Sequence, residues 1–181
     1  MIEVTYYVAM SLDGYIARSD GSVDWLAKVE KEGEDYGYTE FFSTVDGLLM
    51  GGNTYRQVEG YGQWPYGDKP CWVWTRRPIT PVATSIRATE ESPSRIIAQA
   101  EERGLKHLWL VGGGMLAESF HHENAITRYV LSVIPVILGQ GIRLLHGGSI
   151  PGELVLESSE TYTGGIVQMT FSAAPVGDGI S

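Results

Sequence analysis

The run Leu108-Trp109-Leu110-Val111-Gly112-Gly113-Gly114-Met115-Leu116 holds the residues best suited to chemistry in this chain. A short apolar segment enters three consecutive glycines, and a helical pattern follows. Where a strand gives way to a helix, the first backbone N–H groups lack internal partners and carry partial positive charge. They suit a phosphate or a diphosphate. Glycine lets a ligand approach the main chain and adopts backbone angles closed to other residues. The loop is therefore a candidate nucleotide-binding edge. A plain connecting turn explains the local pattern equally well, because the glycines form neither a G-x-G-x-x-G nor a Walker A motif.

Such a loop has to be held by a sheet, and the chain has the strands for one. Val4 to Ala9 is β-branched and aromatic and reads as a first strand. Ser11 to Trp25, rich in Gly, Asp and Ser, reads as a long loop, and loops of that length are often functional. Tyr38, Phe41, Phe42 and Val45 recur at helical spacing and predict an amphipathic helix from about Asp35 to Thr44. Asp46 to Met50 is a second strand, ending at Gly51-Gly52, and a helix starts near Asn53-Thr54. Cys71 to Thr75 is a third strand, stopped by Arg76-Arg77-Pro78.

Ser92-Pro93 is a helix start, with serine as cap and proline in the first helical position. That helix ends near Gly104. His107 to Val111 is the next strand, and Met115 to His122 is the helix beyond the glycines. Ile126 to Leu138 reads as one long strand bent at Pro135. Glu153 to Tyr162 and Ile166 to Phe171 read as a hairpin closed by Gly164-Gly165. Strands alternating with helices, then a hairpin, predict a three-layer α/β sandwich. Its central sheet is mixed and mostly parallel, with an antiparallel edge.

At 181 residues the chain is of single-domain length, with room for a full core and a cleft. Its net charge of -9 argues against nucleic acid or an anionic membrane as partner, though not against a phosphorylated cofactor, which needs only local positive charge. The lone Cys71 excludes an internal disulfide and a thiolate metal cluster. Its apolar neighbours predict a buried structural thiol. His121-His122 lack metal spacing and fit a helix C-terminus, so no metal site is expected. No stretch approaches membrane-spanning length and no leader is evident, which makes a cytoplasmic location the expectation.

Four segments taken together carry a family resemblance. They are Ala9-Met10-Ser11-Leu12-Asp13-Gly14-Tyr15-Ile16-Ala17, Leu48-Leu49-Met50-Gly51-Gly52-Asn53-Thr54-Tyr55, Leu110-Val111-Gly112-Gly113-Gly114, and Pro135-Val136-Ile137-Leu138-Gly139-Gln140-Gly141. In order and spacing they resemble the dihydrofolate-reductase-like superfamily. The nearest branch is the reductase domain of the bifunctional riboflavin-biosynthesis protein, with its stand-alone bacterial relatives. The resemblance implies NADPH along the carboxyl ends of the strands. It implies that Ala9 and Ile16 line the nicotinamide pocket, and that Val111, Gly112, Gly113, Gly114, Met115 and Leu116 hold the diphosphate. It also implies a cis peptide between Gly112 and Gly113, and a homodimer.

Some positions depart from that pattern. The family often has Gly-Arg-x-Thr where this chain has Gly51-Gly52-Asn53-Thr54, so Asn53 and Thr54 remain as donors but the arginine is missing. Thr75, Arg76 and Arg77 end the next strand and are the candidates for the cofactor 2′-phosphate. By ungapped counting, Asp35 takes the place of the substrate-orienting carboxylate, with a pKa raised by desolvation, and Glu34 competes for that role. Tyr7 and Trp25 are candidates to stack on a planar substrate. The implied activity is hydride transfer from NADPH to a pterin- or pyrimidine-like heterocycle. The alternatives are 5-amino-6-(5-phosphoribosylamino)uracil reductase and a non-catalytic nucleotide-binding protein. The zinc deaminase motif of the bifunctional protein is absent.

Overall fold

The computed structural model describes residues 1–145 and 152–174. In chain order its elements are β1 (Glu3–Ser11), β2 (Tyr15–Ala17), a 3₁₀ turn (Asp24–Lys28), α1 (Tyr38–Thr44), β3 (Gly47–Gly51), α2 (Gly52–Glu59), β4 (Cys71–Trp74) and β5 (Ile86–Thr89). There follow α3 (Pro93–Glu102), β6 (His107–Gly112), α4 (Gly114–His122), β7 (Arg128–Ile134), β8 (Ile142–Arg143), β9 (Leu154–Thr161) and β10 (Val167–Ala173). One sheet runs in the order β5-β4-β3-β6-β1-β7-β10-β9, and β2 pairs separately with β8. From β5 to β7 all neighbours are parallel, whereas β10 is antiparallel to both β7 and β9. This is the expected mixed, mostly parallel sheet with an antiparallel edge.

The alternation of side chains along a strand divides the core in two. On one face Val4, Tyr6, Leu108 and Leu110 meet Ile96 and Ala100 of α3 and Leu116, Ala117 and Phe120 of α4. On the other, Leu48, Met50, Cys71, Val73 and Trp109 meet Tyr55 and Val58 of α2 and the ring edges of α1. Central parallel strands covered on both faces have to be apolar at nearly every position, which accounts for the continuous runs in the sequence. Burying a residue such as Leu108 or Leu110 completely contributes on the order of 2 kcal/mol. Cys71 sits in this core, and burial pushes its thiol up to about 12, so it is inert as a nucleophile at neutral pH.

Three boundaries differ from the expectation. The predicted helix from Asp35 begins only at Tyr38, because Tyr36 (φ 53°) and Gly37 (φ 79°) are left-handed and cannot continue a right-handed helix. The single strand Ile126–Leu138 is β7 alone, ending at Ile134. Pro135 has no N–H for the ladder, and Val136 N donates to Ile134 O at 2.7 Å in a tight turn. The loop 11–25 contains β2 and the start of the 3₁₀ turn. No helix among the described residues is long and apolar enough to cross a membrane.

Candidate functional site

A cleft of about 1070 Å³ opens at the carboxyl ends of β4, β3, β6 and β1. These strands are consecutive in the sheet, so at ~4.8 Å per strand their ends span about 14 Å. Thr75, Arg76 and Arg77 line it beyond β4. Gly51, Asn53 and Thr54 line it where β3 enters α2, and Val111 to Leu116 where β6 enters α4. Ala9 lines it at β1 and Ile16 at β2. The structure thus brings every residue assigned to the cofactor from sequence into a single depression.

Two helices start in the middle of that depression. Gly51 caps α2 and Gly113 caps α4, and neither start has a side-chain cap. In contrast, the Ser92 side chain accepts the Arg95 N–H at the start of α3, as its sequence predicts. The two uncapped starts lie side by side. A Cβ on Gly113 would stand 3.2 Å from the Gly51 Cα and 3.3 Å from the Gly51 nitrogen. Their unpaired N–H groups and like-oriented dipoles therefore share one location, which is where an anion gains most. The expected cis peptide between Gly112 and Gly113 is corrected: the described residues contain no cis peptide. The chain turns instead at Gly113, whose φ of 105° is open to glycine and strained for other residues.

The structure also explains the missing arginine at position 52. A Cβ on Gly52 would lie 2.6 Å from Thr75 Oγ1 and 2.8 Å from Thr75 Cβ, so a larger residue there has to displace Thr75. Arg56, four residues along α2 and on the same helix face, brings its Nη1 to 3.3 Å from that point and lines the cleft. The sequence reading missed Arg56, although the i, i+4 spacing from Gly52 was there to be read. Thr75 Oγ1 accepts the Arg77 N–H at 3.1 Å and donates to Arg77 O at 3.0 Å, fixing the turn that presents both arginines. The Arg76 guanidinium lies 5.8 Å from the Trp74 ring centroid, a cation–π contact.

At the β1 end, Asp13 joins two loops. Ser11 Oγ donates to its carboxylate at 2.6 Å, Gly139 N at 2.7 Å and Leu138 N at 3.1 Å. These bonds, the serine's first, hold the Asp13 carboxyl down at about 2. The Gly139-Gln140-Gly141 turn is thereby fastened to the segment that leads into β2.

Four sequence assignments fall outside the cleft, Glu34 among them. Trp25 is 1% exposed and packs with Val29, Ile134 and Ile166, and it is the adjacent Leu26 that faces the cleft. Tyr7 stands two residues before Ala9, about 7 Å further from the strand end. It faces a separate polar concavity with Thr5, Arg128 and Gln168, and its hydroxyl accepts from Gln168 Nε2 at 3.1 Å. Asp35 was expected to be desolvated, and it is exposed instead. It accepts the Thr39 and Gly37 N–H groups, both at 3.1 Å, and the Thr39 side chain first, then these backbone bonds, lower its pKa rather than raise it. This is the geometry of a cap at the start of α1. Asp35→Asn is expected to leave NADPH oxidation within twofold of wild type and to lower the melting temperature slightly. A tenfold loss of turnover at unchanged stability would reinstate the catalytic role.

The other residues behave as their surroundings dictate. Glu34 is exposed and lines neither cavity. His121 and His122 end α4, where cations meet the helix dipole, and His121 Nδ1 lies 2.9 Å from the Tyr129 hydroxyl. No cluster of potential metal ligands occurs among the described residues.

A cleft at the carboxyl ends of parallel strands, flanked by helix starts, is the ligand-binding arrangement of open α/β proteins. The chain belongs to the RibD C-terminal domain family, whose model matches residues 3–168. It is 37% identical to the uncharacterized protein YwjB of Bacillus subtilis (strain 168), over 93% of this chain and 96% of that one. A protein of Shewanella sp. PV-4 assigned to riboflavin biosynthesis superposes with a TM-score of 0.86 and 28% identity, covering 97% of this chain and all of that chain. The deaminase/5-amino-6-(5-phosphoribosylamino)uracil reductase of Thermotoga maritima shares the fold at a TM-score of 0.72 and 14% identity, over 96% of this chain and 57% of that one. The resemblance to the riboflavin-reductase branch therefore holds.

Proposed function

We propose that the chain is an NADPH-dependent reductase that transfers hydride to a pterin- or pyrimidine-like heterocycle. The observation that carries this reading is the pair of adjacent, uncapped helix starts at Gly51 and Gly113, with Arg56, Arg76 and Arg77 grouped at the β3–β4 end of the same cleft. The residues fit the cofactor in sequence along the sheet edge. The arginines suit the 2′-phosphate, because a guanidinium offers a phosphate paired hydrogen bonds. The backbone of Gly112 to Leu116, with Asn53 and Thr54, suits the diphosphate. Ala9 and Ile16 offer an apolar wall to the nicotinamide at the β1 end.

Bound NADPH would supply the hydride. The chain contributes position and exclusion of water: the β2 segment walls the β1 end of the cleft, and the Asp13 bonds keep it attached to the turn beyond β7.

The test is a fluorescence titration with NADPH and NADH. Wild type is expected to prefer NADPH. Arg56→Ala, Arg76→Ala and Arg77→Ala are expected to weaken NADPH about tenfold in at least one case, or about 1.4 kcal/mol, and to leave NADH unchanged. Unchanged preference in all three would end the 2′-phosphate assignment. No uptake of either nucleotide by wild type would end the reductase reading.

A further inference from the structure

The charge lining the cleft is segregated. Of the described residues that line it, four carry ionised side chains: Arg56, Arg76 and Arg77 toward β3 and β4, and Asp20. Asp20 belongs to a tight turn that follows β2, closed by Arg18 N to Ser22 O and Gly21 N to Arg18 O, both at 2.9 Å. That turn leads from β2, which packs beside β1, into the 3₁₀ turn, whose Trp25 and Leu26 pack with Ala9 and Ile134. Asp20 is therefore held at the β1 end, the end left for the hydride acceptor by a cofactor whose 2′-phosphate lies at the arginines. The rest of that end is Ala9, Ile16, Ala17, Leu26 and Ile142, with small polar turn residues.

Two arginines lie close in sequence and neither lines the cleft. Arg18 Nε is bonded to Asp24 Oδ1 at 2.6 Å, and the Arg143 guanidinium is 5.3 Å from the Tyr15 ring centroid. The Asp20 carboxylate accepts the Ser22 N–H at 2.9 Å, and its pKa is lowered chiefly by this bond, so it is ionised at neutral pH.

We propose that the acceptor is a pyrimidine or pteridine that carries no phosphate group, bound as the free base or the nucleoside. A phosphomonoester brings close to two negative charges at neutral pH. Enclosing it takes guanidinium, ammonium or helix-start donors. Among the described residues that line this end it would meet a carboxylate and apolar walls, and no cation replaces the hydration it loses. An uncharged ring with exocyclic amino or ring N–H groups finds an acceptor in Asp20 instead. This inference rests on the reductase reading and narrows it.

The test uses two matched pairs: 5-amino-6-(ribosylamino)uracil with its 5′-phosphate, and 7,8-dihydroneopterin with its monophosphate. NADPH oxidation gives kcat/KM, and calorimetry on the NADP⁺-loaded protein gives affinity where turnover is absent. In at least one pair the unphosphorylated compound is expected to be favoured at least tenfold. Asp20→Lys is expected to narrow that ratio without altering NADPH affinity. Equal or better use of both phosphates, a ratio indifferent to Asp20→Lys, or binding of none of the four compounds overturns the proposal. An NADPH titration on the same preparation keeps the two readings apart. NADPH uptake with phosphate preference ends this inference alone, whereas no NADPH uptake ends the reductase reading on which it stands.

Discussion

Gly113→Ala is expected to weaken NADPH binding about a hundredfold, or about 2.7 kcal/mol. Two effects combine. At φ 105° and ψ 99° an alanine is strained, at a cost on the order of 1–3 kcal/mol. Its Cβ would also sit 3.2 Å from Gly51 Cα and 3.3 Å from Gly51 N, and both of those atoms are backbone. Relief has to come from moving one helix start away from the other, which separates the donors proposed to share the diphosphate. Gly104→Ala is the control. It has a similar left-handed angle, φ 77°, but nothing within 4 Å of the added carbon, and it lies outside the cleft. Both variants should lose stability in thermal unfolding, and only Gly113→Ala should lose the nucleotide. Equal NADPH affinity in the two would show that the paired helix starts do not hold the diphosphate.

The contrast between these glycines bears on what a sequence can reveal. The triple glycine was legible because strand, loop and helix are contiguous, and the Ser92-Pro93 start was legible because a cap is local chemistry. The central strands were legible because burial on both faces leaves continuous apolar runs. Contacts between distant segments were not. Nothing local to Gly52 announces that Thr75 Oγ1 stands 2.6 Å from its missing Cβ, so the absent arginine read as a gap in the family pattern. With both segments in view, Gly52 makes room for Thr75, and Arg56 restores positive charge from the next helical turn. Asp35 failed for a related reason. Counting placed it by its distance from Gly51, but Tyr36 and Gly37 break the helix there and turn its carboxylate to capping. The pair β2 and β8 escaped notice because strands of three and two residues show no period, and their partner lies 125 residues away.

Gly141→Ala is expected to be the most destabilising single methyl addition near the site. At φ 151° its Cβ would collide with the Ala17 carbonyl oxygen and stand 3.2 Å from the Ala17 carbonyl carbon. Ala17 pairs with Ile142, the residue after Gly141, so the clash falls inside the pairing of two very short strands. The Asp13 bonds to Leu138 and Gly139 hold the incoming turn from the other side, and little slack remains to absorb the shift. Backbone contact that close, together with an angle unfavourable to alanine, costs on the order of 3 kcal/mol, or roughly 6–12 °C in Tm for a chain of this size. Ile16, Ala17 and Ile142 line the β1 end of the cleft, far along the sheet from the arginines. NADPH keeps the contacts proposed for its diphosphate and 2′-phosphate and loses only part of the nicotinamide wall at Ile16, so its affinity should fall only a fewfold, while kcat/KM for the acceptor falls at least tenfold. Asp13→Ala removes the anchoring bonds without adding a clash, and should lower Tm less while moving the same kinetic ratio. If Gly141→Ala melts with wild type, or weakens the nucleotide as much as the acceptor, then β2 and β8 do not form the wall that separates acceptor from solvent.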